Sequence, residues 1–298
     1  MVTEGLRGVI AAMATPVTSA GNPDGVRLIA RARHLLCNGC DGLNLLGTTG
    51  EATSFSVAER LGLMNAVAKA GLPLDQFMVG TGAASTGDAA ELTRTAAELG
   101  FAGALLLPPF YYKLISPDGI SRYVERVLNA VGSRNLALYL YNFPDLAGVQ
   151  YSVSTVSLLL SRFGSNIAGL KDSSGDMKYA AEVAQLSRNL RVFPSNEAVL
   201  LRARTGEFAG CISATANINA RYCAAAYHNG DDAALKRASA ARAVFTGLPL
   251  ISSIKAVLVR ITGDPGWADL APPLTQPTDE ESSTLWHRFA QLPADTWS

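Results

Sequence analysis

Eight short apolar runs, separated by stretches whose hydrophobic residues recur every three or four positions, restrict most tightly what this chain can become. The runs cover residues 8–14, 42–46, 77–80, 103–107, 136–142, 167–171, 190–193 and 210–213. Short runs bounded by turn-forming residues read as strands, and their near-continuous apolar character marks strands covered on both faces. The intervening stretches have legible helix ends. Ser56 and Glu59 have the spacing of a capping box, Leu61, Met64 and Ala68 follow on one face, and Gly71 stops the helix. Ala89, Leu92, Ala96 and Leu99 form a second stripe before Gly100. Eight such units predict an α/β protein with a closed parallel (β/α)8 barrel over residues 1–229. An open doubly wound sheet fits less well, because no Gly-rich dinucleotide fingerprint follows the first run. Residues 230–298 read as helical only, with an apolar run at 241–259, a break at Gly263-Asp264-Pro265-Gly266, a Pro-rich stretch at 272–277 and a last helix from about Glu280. This C-terminal helical extension is expected to pack on the barrel or on a second subunit.

Composition removes several function classes. The 298 residues are 48% hydrophobic and 17% charged with a formal net charge of zero, so there is no basic stripe for nucleic acid and no polybasic cluster for anionic lipid. The stretch from Val9 to Val17 is broken by Thr15-Pro16 and is too short to span a membrane. Cys37 and Cys40 form one Cys-x-x-Cys pair, but neither a second pair nor a histidine completes a zinc site, and Cys211 and Cys223 stand apart. The four read as reduced thiols in a cytoplasmic protein. His34, His228 and His287 do not pair at metal-ligand spacing, which disfavours a metal-dependent reaction.

In a parallel barrel, chemistry collects at the C-terminal ends of the strands. There the sixth run ends in Lys171, followed by Asp172-Ser173-Ser174-Gly175. Lysine is seldom buried without a partner or a purpose, and burial favours the neutral amine, the form that attacks a carbonyl to give a Schiff base. Taken alone, a strand-end lysine can equally snorkel to the surface or join a salt bridge. Two other runs end in chemically capable groups. The second gives Gly47-Thr48-Thr49-Gly50-Glu51, whose glycines let backbone amides approach a ligand and whose hydroxyls can hold a carboxylate and pass protons. The fifth gives Tyr141-Asn142-Phe143-Pro144, bringing a phenol to the rim of Lys171. The plainer readings are a turn whose threonines cap a helix and a core aromatic with a satisfied hydroxyl.

Together these segments resemble the dihydrodipicolinate synthase and N-acetylneuraminate lyase family of pyruvate-dependent class I aldolases. The resemblance runs through Gly8-Val9, Thr15-Pro16, the 47–51 loop, Pro109-Phe110-Tyr111-Tyr112, Tyr141-Asn142-Phe143-Pro144, Gly169-Leu170-Lys171-Asp172 and Ile212-Ser213-Ala214-Thr215-Ala216-Asn217. It implies that Lys171 forms an imine with the keto carbon of pyruvate, with no other cofactor. It implies that Tyr141 donates and accepts protons, that Thr48 relays them, and that Thr49, beside Gly47, holds the pyruvate carboxylate. The Ile212 carbonyl would face the site, and Tyr111 would enter the site of a neighbouring subunit in a homotetramer built from two dimers.

One departure bears on the second substrate. The lysine-biosynthetic synthases carry an arginine for the carboxylate of aspartate semialdehyde after the fifth-strand motif, where this chain reads Asp145-Leu146-Ala147-Gly148. The sialate-type lyases instead hold sugar hydroxyls with an acidic pair after the seventh strand. Asn196 and Glu197, next to Ser195, occupy those positions, with Asn196 where an acid is expected. The leading expectation is therefore an aldolase for a 2-keto-3-deoxy sugar acid or similar 2-keto acid, made from or cleaved to pyruvate and an aldehyde. Alternatives are a keto-deoxy sugar acid dehydratase, a dihydrodipicolinate synthase-type condensation and a non-catalytic ligand-binding homologue.

Overall fold

The computed structural model describes residues 5–293 and Asp295; residues 1–4, 294 and 296–298, at the outer ends of the two expected segments, lie outside the described residues. The strands are β1 (Gly8–Ala12), β2 (Gly42–Leu45), β3 (Phe77–Gly80), β4 (Gly103–Leu106), β5 (Ala137–Asn142), β6 (Ile167–Asp172), β7 (Arg191–Pro194) and β8 (Gly210–Ser213). They pair in parallel in the order β8-β1-β2-β3-β4-β5-β6-β7. At the remaining seam, the Ala209 N–H donates to the Val192 carbonyl at 2.9 Å. The expected (β/α)8 barrel is thus present, and the strand ends lie no more than two residues from those read in the sequence.

The helices are α1 (Gly25–Cys37), α2 (Val57–Lys69), α3 (Thr86–Leu99), α4 (Pro117–Val131), α5 (Pro144–Ala147) and α6 (Val153–Phe163). They continue with α7 (Met177–Gln185), α8 (Leu200–Arg204), α9 (Ala216–Ala224), α10 (Asp232–Ala243), α11 (Leu250–Thr262) and α12 (Asp279–Ala290). The capping box on α2 forms, but the face it buries is Leu63, Met64 and Val67, leaving Leu61 and Ala68 half-buried. The rotation follows Arg60, whose buried guanidinium donates to the Gly80 and Gly82 carbonyls at 2.8 and 3.1 Å, a polar contact that hydrophobic spacing does not encode. Burial pushes Arg60 down to about 10. The apolar run at 241–259 is likewise two helices, divided where Gly247 takes a φ of 75° and Pro249 precedes α11.

Alternate strand residues serve different cores, as the two-residue period requires. Val9 and Ala11 pack outward under the helices, whereas Ile10 and Ala12 join Met78, Leu105, Tyr139, Tyr141, Phe193 and Ile212 inside the barrel. Tyr139 lies across the barrel interior, and its hydroxyl accepts from the Leu6 N–H at 3.1 Å. A Cβ on Gly169 would come within 2.6 Å of its ring, so glycine on the adjacent strand makes room for it. A third cluster, including Val244, Ile254, Leu258, Trp267 and Leu285, seats the C-terminal helices on Ala14, Ala214 and Ile218.

One ion pair fastens these helices to the mouth of the barrel. Glu51, in the loop after β2, accepts from Lys255 of α11 at 2.5 Å and from the Ala271 N–H at 2.7 Å. Lys255 also donates to the Thr15 carbonyl at 3.0 Å, and both charged side chains are excluded from solvent. Burial pushes the Lys255 ammonium below the usual lysine range, and Glu51 opposes that shift. Removing one member of such a pair strands the other charge. Glu51→Gln is therefore expected to lower stability by about 3–5 kcal/mol in urea unfolding, while Glu51→Leu combined with Lys255→Met recovers most of the loss. A single-variant loss below about 1 kcal/mol would show that the pair does not hold the loop.

Candidate active site

The parallel register of β5 and β6 sets Tyr141 directly beside Lys171. Both side chains point into the barrel near its C-terminal mouth, because they share the inward phase of Tyr139 and Gly169. Lys171 is only 3% exposed, and its Nζ lies 4.2 Å from the centroid of the Tyr141 ring. The amine therefore lies against a ring face rather than against a carboxylate. Among the described residues no carboxylate lies within ion-pair distance of Lys171, in contrast to the paired Lys255. The adjacent Asp172 falls on the opposite phase and serves the wall, accepting from Asn142 Nδ2 at 2.8 Å and from the Ser174 hydroxyl at 2.9 Å. Burial pushes its carboxyl upward, while these hydrogen bonds pull it down.

The loop after β2 brings the third group. Leu46 and Glu51, at its two ends, hold positive φ values of 51° and 56°, a conformation that costs a side-chain-bearing residue energy. The Leu46 carbonyl presses so close to β3 that a Cβ on Gly80 would lie 2.0 Å from it. Held this way, and anchored through Glu51, the loop carries Thr48 Oγ1 to 3.1 Å from the Tyr141 hydroxyl. Lys171, Tyr141, Thr48, Thr49 and Ile212 all line a cavity of about 460 Å³. Gly47 lies on an adjoining hollow of about 300 Å³, whose wall shares Thr48, Tyr141, Phe143 and Leu146 with the first. The hydroxyl pair therefore sits on the ridge between the two spaces.

Three further residues singled out in the sequence meet neither space. Tyr111 is 73% exposed on the loop after β4, in an edge-to-face contact with Tyr112. Asn196 turns away, its Oδ1 accepting from the Ala198 N–H at 3.0 Å to cap a short 3-10 turn. Glu197 is fully buried behind the wall, where it accepts from Ser213 at 2.7 Å, from Thr215 and from Arg242 Nη1 at 3.2 Å. Capping thus occupies the Asn196 oxygen, and donors of the wall surround the Glu197 carboxylate. Arg242 of α10 does line the cavity, as do Ser173, Ser195 and Ser252. With Lys171 it supplies the charged groups of the wall. Sequence reading missed it because α10 carries several basic residues without a motif. Its one signal was the buried acid, Glu197, which needed a cation.

Among the described residues no three histidine, cysteine, aspartate or glutamate side chains are grouped to hold a metal ion, and no helix is long and apolar enough to cross a membrane. The four cysteines are unpaired, with Cys37 exposed and burial pushing the Cys40 thiol up to about 12.

Comparison with known proteins places the chain among its relatives. The chain is 33% identical to a DapA-like lyase of Chloroflexus aurantiacus, over 97% of this chain and 98% of that one. It is 32% identical to the 4-hydroxy-tetrahydrodipicolinate synthase of Parasynechococcus marenigrum, over 95% and 94% of the two chains. The crystal structure of dihydrodipicolinate synthase from Agrobacterium tumefaciens superposes with a TM-score of 0.88 at 29% identity, covering 96% of this chain and 99% of that one. The model of the dihydrodipicolinate synthetase family matches residues 5–284, nearly the whole barrel and extension, and the chain belongs to that family.

Proposed function

We propose that this member of the family is a Schiff-base-forming, pyruvate-dependent class I aldolase, a carbon–carbon lyase acting on a 2-keto acid. The observation that carries the reading is a buried lysine without a carboxylate partner, held against the ring of a tyrosine whose hydroxyl meets Thr48. The Lys171 amine adds to C2 of pyruvate, and the carbinolamine takes a proton from Tyr141 and loses water to leave a protonated imine. That imine is the electron sink for carbon–carbon chemistry. The Tyr141 phenoxide takes a C3 proton to give an enamine, whose C3 attacks the aldehyde carbon while the new alkoxide takes that proton from Tyr141. Water then hydrolyses the product imine and frees Lys171. Cleavage runs the same steps in reverse. Thr49, buried on the same loop, is suited to the pyruvate carboxylate, and Thr48 to resupplying the phenol.

The proton path extends beyond one chain in this proposal. Tyr111, Tyr112 and Leu114 are all highly exposed near one another in sequence, an apolar surface of the kind that marks an interface, and Tyr111 would reach the hydroxyl pair of a second copy in a homotetramer. Tyr141→Phe is expected to lower kcat by roughly 10²- to 10⁴-fold with a much smaller change in KM, since the phenol acts on protons moving in the transition state. Tyr111→Ala should also lower kcat, and dilution to monomer should abolish turnover. Unchanged turnover in Tyr141→Phe removes it from the mechanism, and a fully active monomer removes Tyr111.

For the second substrate we favour a neutral, polyhydroxylated or small aldehyde, so that 2-keto-3-deoxy sugar acids are the leading substrates. The hydroxyls of Ser173, Ser195, Ser252 and Thr275 around the cavity suit such a chain, and α5 brings Leu146 rather than a cation to the rim. Arg242 favours a second reading, an aldehyde with its own anionic group, as in condensation of pyruvate with aspartate semialdehyde. Release of pyruvate from 2-keto-3-deoxy sugar acids is expected to exceed that condensation in kcat/KM. Faster condensation, reduced roughly 10- to 100-fold in Arg242→Gln, would instead establish the anionic aldehyde.

A further inference from the structure

At the other end of the barrel, the N-terminal ends of β5, β6 and β7 and the turns before them surround a cavity of about 620 Å³. Among the described residues its wall carries Arg7, Arg134, Arg188 and Arg191 and not one aspartate or glutamate. The chain has equal numbers of acidic and basic residues, so this is a local separation of charge rather than a basic surface in general. Arg134 is already matched, by Glu98 at 3.1 Å. No ion pair joins Arg7, Arg188 or Arg191 to a carboxylate among the described residues.

The same three arginines also line an adjoining hollow of about 260 Å³, so they form the ridge between two concavities. The carboxylate in that hollow, Glu207, is committed to Arg202, which holds it through two nitrogens, one at 2.6 Å. Arg191 opens β7 and runs beneath the barrel floor, where its Nε is buried without a protein partner. Its Nη1 is close enough that a Cβ on Gly5 would lie 2.9 Å from it. The positive field of Arg191 and Arg7 reaches the Tyr139 hydroxyl and opposes the upward push of burial on that phenol. Side chains of Ser187 and Asn189 add hydrogen-bonding groups to the same wall. Three like charges on one ridge repel each other, and an anion seated between them relieves that repulsion while accepting their N–H groups.

We propose that this face of the barrel binds a small polyanion carrying at least two phosphate or carboxylate groups, at a site remote from Lys171. The cavity volume lies in the range of small-molecule sites, and arginine forks suit both kinds of group. The test is calorimetric titration of the full chain with inorganic pyrophosphate and, separately, citrate, at matched ionic strength. The site predicts saturable binding of at least one, one per chain, weakened at least tenfold in Arg7→Gln/Arg188→Gln. The tighter of the two ligands assigns the site to phosphates or to carboxylates. Arg7 and Arg188 are exposed, so their replacement leaves the fold and the basal pyruvate-release rate intact. Absence of saturable binding by both anions overturns the proposal. So does binding that survives in the double variant but disappears in Arg242→Gln, which would place the anion in the catalytic cavity.

Discussion

The buried pair of Glu51 and Lys255 is the contact on which the catalytic geometry depends. It joins residues 204 positions apart and brings three things to one point: the loop after β2, the carbonyl after β1 at Thr15, and the helices that close the chain. A buried ion pair adds little net stability compared with well-packed apolar groups, but each charge is costly without its partner. The pair therefore selects one arrangement of the loop, including the positive φ values at Leu46 and Glu51 that place Thr48 against Tyr141. The apolar seat of the C-terminal helices on Ala14, Ala214 and Ile218 holds Lys255 in reach from the other side.

Two lysines are buried near the mouth of this barrel, and their surroundings assign them different work. Lys255 has a carboxylate and a carbonyl, so its ammonium is matched within the fold. Lys171 has the ring face of Tyr141 and an open cavity. A lysine left unmatched over a cavity is available to a carbonyl carbon; one locked to a glutamate is not. The same logic separates the acids. Asp172 and Glu197 are both buried, yet each is surrounded by donors of the wall, so neither is free to act as a base on a substrate. The proton transfer proposed above therefore falls to the hydroxyls of Tyr141 and Thr48, which meet at 3.1 Å.

Much of this was legible in the sequence because it is local. Strand runs, the capping box at Ser56 and Glu59, and the stop at Gly100 depend on neighbours a few residues away, and they appear where the pattern puts them. Lys171 and Tyr141 could be paired in advance because adjacent strands of a parallel barrel end at the same rim. What was missed is non-local and polar. Arg60 turns α2 by reaching two carbonyls of the next unit, Lys255 hides in an apolar helix, and Arg242 becomes a wall residue only through Glu197. Residues adjacent in sequence at a strand end also need not share surroundings: Asn196 caps a turn, whereas Glu197 is buried against Ser213 and Thr215.

The central claim, that the unmatched lysine is the one that reacts, is tested most directly by borohydride reduction of the protein with pyruvate, followed by peptide mapping. The account predicts a stable reduced adduct on Lys171 and none on Lys255 or any other lysine, with parallel loss of activity. A label found elsewhere, or no pyruvate-dependent label at all, would contradict it.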